Sequence, residues 1–448
     1  MNILSLFACF ETLISSTAIG QLAVISQAIL TMTGRISMLN ISRWAEKGGS
    51  YRTVQRFFGT ALPWSEMFFK FFETNIFNPA DEYIVAGDET VIGKAGKETF
   101  GIDRFFSGLR GKVIKGLSFF VFSLVNTVDR KSYPMLVKQM VRSDAEKAAI
   151  KKRKKKRAKN LKSSQAKPRG RRKGSRNKNK NELKLSAELM RINRMLGLLL
   201  KLVRGFIKVR YLAMDGHFGH HQAVLMAREN DLQLISKMRK DAAVFEKYEG
   251  ESSGRGAKKK YGSRLNYENL PNKYLKKSGR EREIVTNYYQ GIFLHKEFGC
   301  QLNMVIIEKL NMKTKKVGHA ILFSSDIELE WEKLVEYYSL RFQIEFNFRE
   351  AKQHFGLEDF MTTTERGVEN AANLSFLMVN ISAKLLKNNE EKYVGINDLK
   401  THFRGVKYAV MTIKKVLKKP EPILMNQIIE EVSRLGSIHR GKSALSTA

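Results

Sequence analysis

Two aspartates each follow directly on an apolar strand-like run, a position from which an acidic side chain can take part in chemistry. Asp88 comes after the run at 83–86, and Asp215 comes after the run at 207–214. Two such strands in one sheet would aim both carboxylates at the same end of it. Carboxylate oxygens suit hard divalent cations such as Mg²⁺ and Mn²⁺. An aspartate at a strand end is also often only a turn former or a helix cap.

Residues 331–356 contain no proline and follow the cap-like pair Ser325-Asp326, which predicts one long helix. At about 100° per residue, four polar residues fall within an arc of roughly 60°. Beside them runs an apolar stripe that would pack on a sheet, so the polar groups would emerge at the edge of the core. The polar stripe is Tyr338, Arg341, Glu345 and Lys352, and the apolar stripe is Leu340, Ile344, Phe348, Ala351 and Phe355.

The spacing Y-x2-R-x3-E-x6-K in this helix resembles the signature of cut-and-paste DDE transposases of insertion sequences, insertion sequence family four. The segment IVAGDETVIGKAGK, residues 84–97, is similar to the first strand of that family, and VRYLAMDGHFG, residues 209–219, to its fourth strand. The resemblance covers roughly residues 80–365. It implies an RNase H-like catalytic core in which Asp88, Asp215 and Glu345 are the catalytic metal ligands.

The implied cofactor is a pair of Mg²⁺ ions, for which Mn²⁺ can substitute. Two such ions about 3.5 to 4 Å apart stabilise both ends of an in-line displacement at phosphorus. One site could therefore activate water to nick an element's end and then activate the freed 3′-hydroxyl to attack target DNA. Glu89 and Asp103 compete with Asp88 for the first position, but side chains alternate along a strand, so Asp88 and Glu89 cannot easily face the same site.

In the family, the Tyr, Arg and Lys of the signature contact phosphates at the transposon end, which implies DNA-binding roles for Tyr338, Arg341 and Lys352. Arg341 could grip a phosphate with two hydrogen bonds, or form an ordinary ion pair with Glu345. The implied partners are double-stranded DNA, both inverted-repeat ends and target, and a second copy in a synaptic homodimer. The resemblance also implies a prokaryotic protein associated with the nucleoid.

Residues 1 to about 78 show apolar residues at helical spacing. Within them, 36–46, the Gly48-Gly49 turn and 50–58 predict a helix, a turn and a second helix capped by Ser50. Val54, Phe57 and Phe58 would face the core of this motif. Its outward residues, which suit DNA contact or the solvated face of a plain helical hairpin, are Arg52, Gln55 and Arg56.

Residues 151–180 hold 17 Lys and Arg and no acidic residue, almost half of the net charge of +35. Such a block cannot bury a core, so we expect a disordered insertion at 150–181. It is either a solvated tail or a means of holding a DNA backbone without reading sequence. The overall charge attracts polyanions, and nucleic acid and anionic membranes are the candidates.

The two cysteines, Cys9 and Cys300, show no metal-binding spacing, which disfavours a disulfide framework or structural zinc and fits a reducing cytoplasm. The apolar N-terminus carries no basic start and is interrupted by Glu11, Gln21 and Gln27, so we expect buried helices there, with no membrane association.

These patterns predict an α/β fold: an RNase H-like, retroviral-integrase-like mixed sheet with flanking helices, an all-α N-terminal domain and an inserted, mostly β subdomain. The expected divisions are a DNA-binding domain at 1–80, the first part of the core at 81–237, the inserted β subdomain at 238–325, the catalytic helix at 326–365 and a helical C-terminal region at 366–448.

The leading hypothesis is a transposase that cleaves transposon ends and transfers strands into target DNA. One alternative is a catalytically inactive DNA-binding descendant of such an enzyme, and another is an RNase H-like nuclease that does not transpose. The presence of all three carboxylates and of the whole signature disfavours the first alternative. Short inverted repeats bordering the gene would favour a mobile element.

Overall fold

The computed structural model describes residues 3–45, 48–162, 182, 184–251, 254, 259–416 and 422–434. The chain is an α/β protein in which helices precede, cover and follow a mixed sheet. At the N-terminus, Ser15, Ser37 and Ser50 each accept a hydrogen bond from a backbone N–H of the next helix, satisfying a donor left free at a helix start. The N-terminal helices are α1 (Ile3–Leu6), α2 (Ser16–Thr31), α3 (Met38–Trp44), α4 (Tyr51–Gly59) and α5 (Trp64–Asn75).

Helices α3 and α4 have the predicted arrangement, with Gly48 in the turn at a φ of +97°. Val54, Phe57 and Phe58 are buried, whereas Arg52, Gln55 and Arg56 are exposed on the other face of α4. Helix α3 is shorter than the predicted 36–46, because Ser37 caps it and Met38 is its first residue. Residue 46 lies outside the described residues.

The strands of the described residues form one twelve-stranded mixed sheet in the order β2-β3-β1-β5-β6-β12-β11-β10-β7-β8, with β4 on β3 and β9 on β10. The strands from 238 onward extend the sheet of the core, because β12 pairs with β6. The strands are β1 (Tyr83–Gly93), β2 (Asp103–Ser107), β3 (Lys112–Asn126), β4 (Lys131–Gln139), β5 (Tyr211–Met214), β6 (Gln233–Met238), β7 (Val244–Lys247), β8 (Tyr261–Arg264), β9 (Leu275–Glu281), β10 (Ile284–His295), β11 (Gln301–Asn311) and β12 (Val317–Ser324).

The remaining helices, α6 to α13 in chain order, cover the two faces of this sheet or follow it. Because side chains alternate along a strand, Ile84 and Ala86 enter one core with the N-terminal helices and α9 to α12. Val85 and Leu212 enter the other core with α7 and α8. These helices are α6 (Asp144–Lys162), α7 (Ala187–Val203), α8 (His221–Glu229), α9 (Trp331–Leu340), α10 (Gln343–His354), α11 (Glu365–Lys387), α12 (Ile396–Val416) and α13 (Pro422–Arg434).

The prediction of one continuous helix over 331–356 is wrong. The helix is broken at Arg341 and Phe342, where backbone bonds run between residues three apart: Ile344 N to Arg341 O at 3.1 Å and Glu345 N to Phe342 O at 3.0 Å. This tighter turn separates α9 from α10. The predicted apolar stripe, from Leu340 to Phe355, is nevertheless buried.

The Ser325-Asp326 pair does not cap α9, which begins after Glu330. Asp326 is buried instead, and its Oδ2 accepts hydrogen bonds from Arg210 at 2.7 Å and from the Tyr211 hydroxyl at 2.9 Å. A buried carboxylate needs such partners. The pair therefore fixes the end of β12 to β5.

The expectation of disorder from residue 150 is wrong for 151–162, which continue α6. Lysine and arginine are good helix formers, and Asp144 and Glu146 in the first turn suit the positive end of the helix dipole. A prediction from composition alone does not include these local contributions to helix stability. Residues 163–181 lie outside the described residues.

Three basic side chains of α12 each reach the last carbonyls of a different helix. Lys400 Nζ donates to His354 O of α10 at 3.0 Å, Arg404 Nε donates to Thr31 O of α2 at 3.1 Å, and Lys407 donates to Trp44 O of α3. Such carbonyls lack partners within their own helices. Helix α12 thus ties the N-terminal helices to the end of α10.

None of the helices in the described ranges combines the length and the apolar character that crossing a bilayer requires.

Candidate active site

Asp88 and Asp215 lie side by side where the parallel pairing of β1 and β5 ends, at the carboxyl side of both strands. The parallel register pairs Gly87 of β1 with Met214, the last residue of β5. Asp88 and Asp215 are the residues that follow this pair. Neighbouring strands are about 4.8 Å apart. Beyond Asp88, β1 continues to Gly93 in antiparallel pairing with β3, so Asp88 lies at the end of the parallel pairing and not at the end of the strand.

The two candidates Asp88 and Glu89 point to opposite faces of the sheet. Asp88 shares its face with Ile84 and Ala86 and meets Arg341. Glu89 points to the face of α7 and accepts a hydrogen bond from the Ser118 hydroxyl. Asp103, the other competitor, pairs with Arg142 at 3.1 Å. Of the three acids, Asp88 is the one that faces Arg341, at the junction of α9 and α10.

Arg341 joins the first and third candidate carboxylates. Its Nη1 lies 2.6 Å from Asp88 Oδ2, and its Nη2 lies 3.2 Å from Glu345 Oε1. The Arg341 side chain is 11% exposed and that of Asp88 18%, whereas Glu345 is 44% exposed. The break between α9 and α10 falls at Arg341, so the tight turn is where this contact is made.

The pKa of Asp88 is raised to about 6, mainly by burial; the negative charges of Asp215 and Glu345 add to the rise, and Arg341 opposes it. The carboxylates are therefore close enough to repel one another. Bringing three such groups together at neutral pH is favourable only with positive charge among them. In this structure the Arg341 guanidinium supplies part of that charge.

The donor set fits a hard divalent ion in its chemistry, because Asp88, Asp215 and Glu345 offer oxygen ligands. In the part of the chain that the structure describes, no three acidic, histidine or cysteine side chains are grouped closely enough to hold a metal ion. Two of the three carboxylates are instead occupied by Arg341.

Tyr338 and Lys352 flank the carboxylates. The Tyr338 ring centroid is 5.8 Å from the Arg341 guanidinium carbon, and burial together with Asp215 and Asp88 raises the pKa of the Tyr338 phenol. Lys352 Nζ donates to Val91 O of β1 at 3.2 Å, and burial lowers the pKa of its ammonium group. Tyr338, Arg341 and Glu345 therefore lie near the aspartates, and Lys352 contacts β1 three residues beyond Asp88.

The predicted N-terminal contacts form a separate surface. Arg52, Gln55 and Arg56 are exposed along one side of α4, whereas the opposite side of the helix is buried. Asn370 of α11 fixes the end of α4, because its side-chain nitrogen donates to Phe58 O at 2.8 Å and to Thr60 O at 2.7 Å. This surface is thus held on a helix that also packs in the core.

The ion pair between His217 and Glu188 is not indicated by any sequence pattern. His217 Nε2 lies 3.7 Å from Glu188 Oε1 at the start of α7, and Glu188 raises the pKa of the imidazole. His217 also donates its backbone N–H to Asp215 Oδ1 at 3.1 Å. Of the histidines near Asp215, His217 is exposed, whereas His221 is buried. No local spacing signals a pair 29 residues apart.

Among the aromatic residues of β10, Tyr289 and Phe293 are buried, whereas Tyr288 is partly exposed. Its ring centroid lies 4.9 Å from that of Trp331, the first residue of α9. An aromatic pair therefore lies where β10 meets the start of α9.

Two family models match the chain. The DDE superfamily endonuclease model matches residues 5–286, which include Asp88 and Asp215, and the transposase DDE domain model matches residues 192–381, which include Asp215 and Glu345. No protein with a curated description matches the chain in sequence. Among solved structures, a chain of the piggyBac transposase synaptic complex with hairpin DNA aligns with 95% of this chain and 77% of its own length, at 11% identity and a TM-score of 0.38.

Proposed function

Because this chain belongs to the DDE superfamily of endonucleases, we propose that it is the transposase of an insertion sequence, which cleaves DNA at the ends of the element and joins them to target DNA. The observation that carries the proposal is that Asp88 and Asp215 follow paired residues of two neighbouring parallel strands, and that Arg341 contacts both Asp88 and Glu345. We assign this part of the sheet to an RNase H-like core.

Asp88, Asp215 and Glu345 would hold two Mg²⁺ ions, or Mn²⁺ in their place. When bound, the ions would supply a nucleophile at neutral pH and stabilise charge on the attacking and leaving oxygens. The protein's own contribution is a rigid frame. Two of the carboxylates leave neighbouring strands, and the third leaves a helix whose apolar stripe is packed in the core.

Arg341 has a second role in this proposal, as a phosphate ligand. Its Nε is buried without a hydrogen-bond partner among the described residues. A buried donor in that state is costly, and a DNA phosphate would satisfy it together with an Nη group. Arg341 would then release Asp88 and Glu345 as DNA enters, so that substrate binding and exposure of the carboxylates are one event.

Tyr338 and Lys352 would contact phosphates on either side of the scissile bond, since they flank the carboxylates along the helix. Arg52, Gln55 and Arg56 would bind the inverted repeat, because they are exposed together on one side of a short, well-anchored helix. A synaptic homodimer would hold both ends of the element.

Incubation of the purified chain with a duplex carrying its native end, a supercoiled target plasmid and Mg²⁺ tests the proposal. We expect a nick at the end and covalent joining of the 3′-end to plasmid. Cleavage without joining would identify a nuclease that does not transpose. Specific binding without cleavage would identify an inactive DNA-binding descendant.

A further inference from the structure

Helix α6 is a strongly basic element that the proposed active site leaves without a role. Residues 151–157 are seven consecutive Lys or Arg. Side chains 151–155 are all exposed, and none of them has a carboxylate partner within the described residues. The helix is polar on every side, so it is not built to pack on a protein core. A row of exposed cations on a helix with a fixed base suits a polyanion with regularly spaced charges.

The base of α6 is fixed to the body of the protein. Glu146 receives two hydrogen bonds from Arg191 of α7, both at 2.9 Å, and it also accepts from the backbone N–H of Ser143 at 2.8 Å. Just before the helix, Arg142 pairs with Asp103 of β2. The direction in which α6 leaves the core is therefore set by a bidentate ion pair.

The base of α6 is also connected through hydrogen bonds to the strand that carries Asp88. Met140 donates its backbone N–H to Ser118 O, and the Ser118 hydroxyl donates to Glu89, the neighbour of Asp88. On the other side, Arg191 lies in the same helix as Glu188, which pairs with His217 beside Asp215. The start of α6 is thus connected to the neighbours of both aspartates, from the face of the sheet that Glu89 and α7 share, and a duplex whose scissile phosphate reached Asp88 and Asp215 would extend past it.

We propose that α6 is a cationic arm that holds the backbone of duplex DNA next to the cleavage site without reading its sequence. The proposal rests on the proposed DNA substrate. At 1.5 Å per residue, positions 151–162 span about 18 Å. Phosphates along one strand are about 3.4 Å apart, so the arm can follow roughly five of them. Phosphate contacts position a protein on DNA but carry no sequence information.

The test compares three variants of the full chain by fluorescence anisotropy, on a duplex with the native end and on an unrelated duplex of equal length. The first variant changes Lys151, Lys154 and Lys155, which share one helix face, to Gln. Glutamine keeps the helix propensity and removes the charge. The second changes the same residues to Arg. The third, matched in charge, changes Lys201, Lys208 and Arg228 to Gln, all exposed near the amino ends of β5 and β6.

For the first variant we expect the slope of log K against log salt to fall by roughly two to three, at about 0.9 per phosphate contact. Affinity for both duplexes should drop by the same factor, leaving their ratio unchanged. The Arg variant and the matched control should keep the wild-type slope.

An unchanged slope in the first variant, with wild-type protein that still binds and cleaves the native end, would overturn the arm and leave the transposase proposal intact. A changed ratio between the two duplexes would overturn sequence-independent holding. If the first variant lost binding to vesicles of phosphatidylserine but not to duplex, the arm would belong to a membrane surface. Wild-type protein that binds neither duplex would defeat the proposed function itself.

Discussion

Arg341 Nη1 lies 2.6 Å from Asp88 Oδ2, although the two residues are 253 positions apart in the chain. The same guanidinium reaches Glu345, four residues further along the chain in α10. One cation therefore occupies two of the three carboxylates to which the proposed chemistry assigns metal ions. This arrangement offsets part of the negative charge of the three carboxylates, and its consequences can be measured.

Neutralising any one of the three carboxylates should abolish cleavage. Asp88→Asn, Asp215→Asn and Glu345→Gln each remove a metal ligand while keeping the size of the side chain, so binding of end DNA should persist. Gel-based cleavage and binding assays with Mg²⁺ measure both properties. Glu89→Gln is the matched control, since Glu89 neighbours Asp88 but faces α7; it should cleave normally. Normal cleavage by one of the first three variants would remove that residue from the site.

Arg341→Gln should lower the stability of the metal-free protein by about 2–4 kcal/mol, because it leaves a largely buried carboxylate without its partner. Added Mg²⁺ should then raise the melting temperature of this variant more than that of the wild type, since the carboxylates have no other source of positive charge. Thermal unfolding with and without Mg²⁺ measures the difference. Arg349→Gln, on an exposed position of α10, is the control. Equal Mg²⁺ effects on Arg341→Gln and wild type would refute the charge-balancing role.

The stability of metal-free protein should depend on Asp88 between pH 4 and 7. Its pKa is raised from 3.8 to about 6 in the folded chain, so the folded state binds a proton that the unfolded state has released. The ionised carboxylate therefore disfavours folding as pH rises through this window, by about 2–3 kcal/mol in total. Denaturant unfolding in EDTA should show wild type losing stability relative to Asp88→Asn from pH 4 to 7. A constant difference between them would contradict the raised pKa.

Arg52→Gln and Arg56→Gln should weaken binding to the native end about tenfold each, with less effect on unrelated duplex, because contacts to base edges are worth about 1–3 kcal/mol. The cleavage rate at saturating DNA should stay near that of the wild type, since α4 lies apart from the carboxylates. Competition binding and single-turnover cleavage separate the two quantities. An equal loss on both duplexes would assign this surface to backbone contacts only.

The sequence predicted those parts of the site that local patterns determine. Asp88 and Asp215 were found because an apolar strand leads into each, and the faces of α4 were found because Val54, Phe57 and Phe58 follow helical spacing. Each of these inferences uses only neighbouring residues. Local pattern was therefore sufficient to predict where both aspartates lie in the sheet; their catalytic role stays a prediction.

The features that sequence missed depend on distant parts of the chain. The break at Arg341 accompanies a contact with β1, and nothing between 331 and 356 marks it. The pairing of His217 with Glu188 joins residues separated by a strand and most of a helix. In α6, the high charge of 151–162 indicated disorder. Helix propensity and the ion pair between Glu146 and Arg191 favour the helix instead, and net charge reports neither of them.

Lys400, Arg404 and Lys407 of α12 cap α10, α2 and α3 in that order, so α12 joins the N-terminal helices, which carry the proposed DNA-binding surface, to the helix that carries Glu345. A force applied to α3 by DNA bound at the proposed surface would be transmitted through α12 to the end of α10. Deleting the chain from residue 396 onward would expose the ends of three helices at once. The N-terminal helices should then exchange amide hydrogens faster, together with the end of α10, while the central strands stay protected.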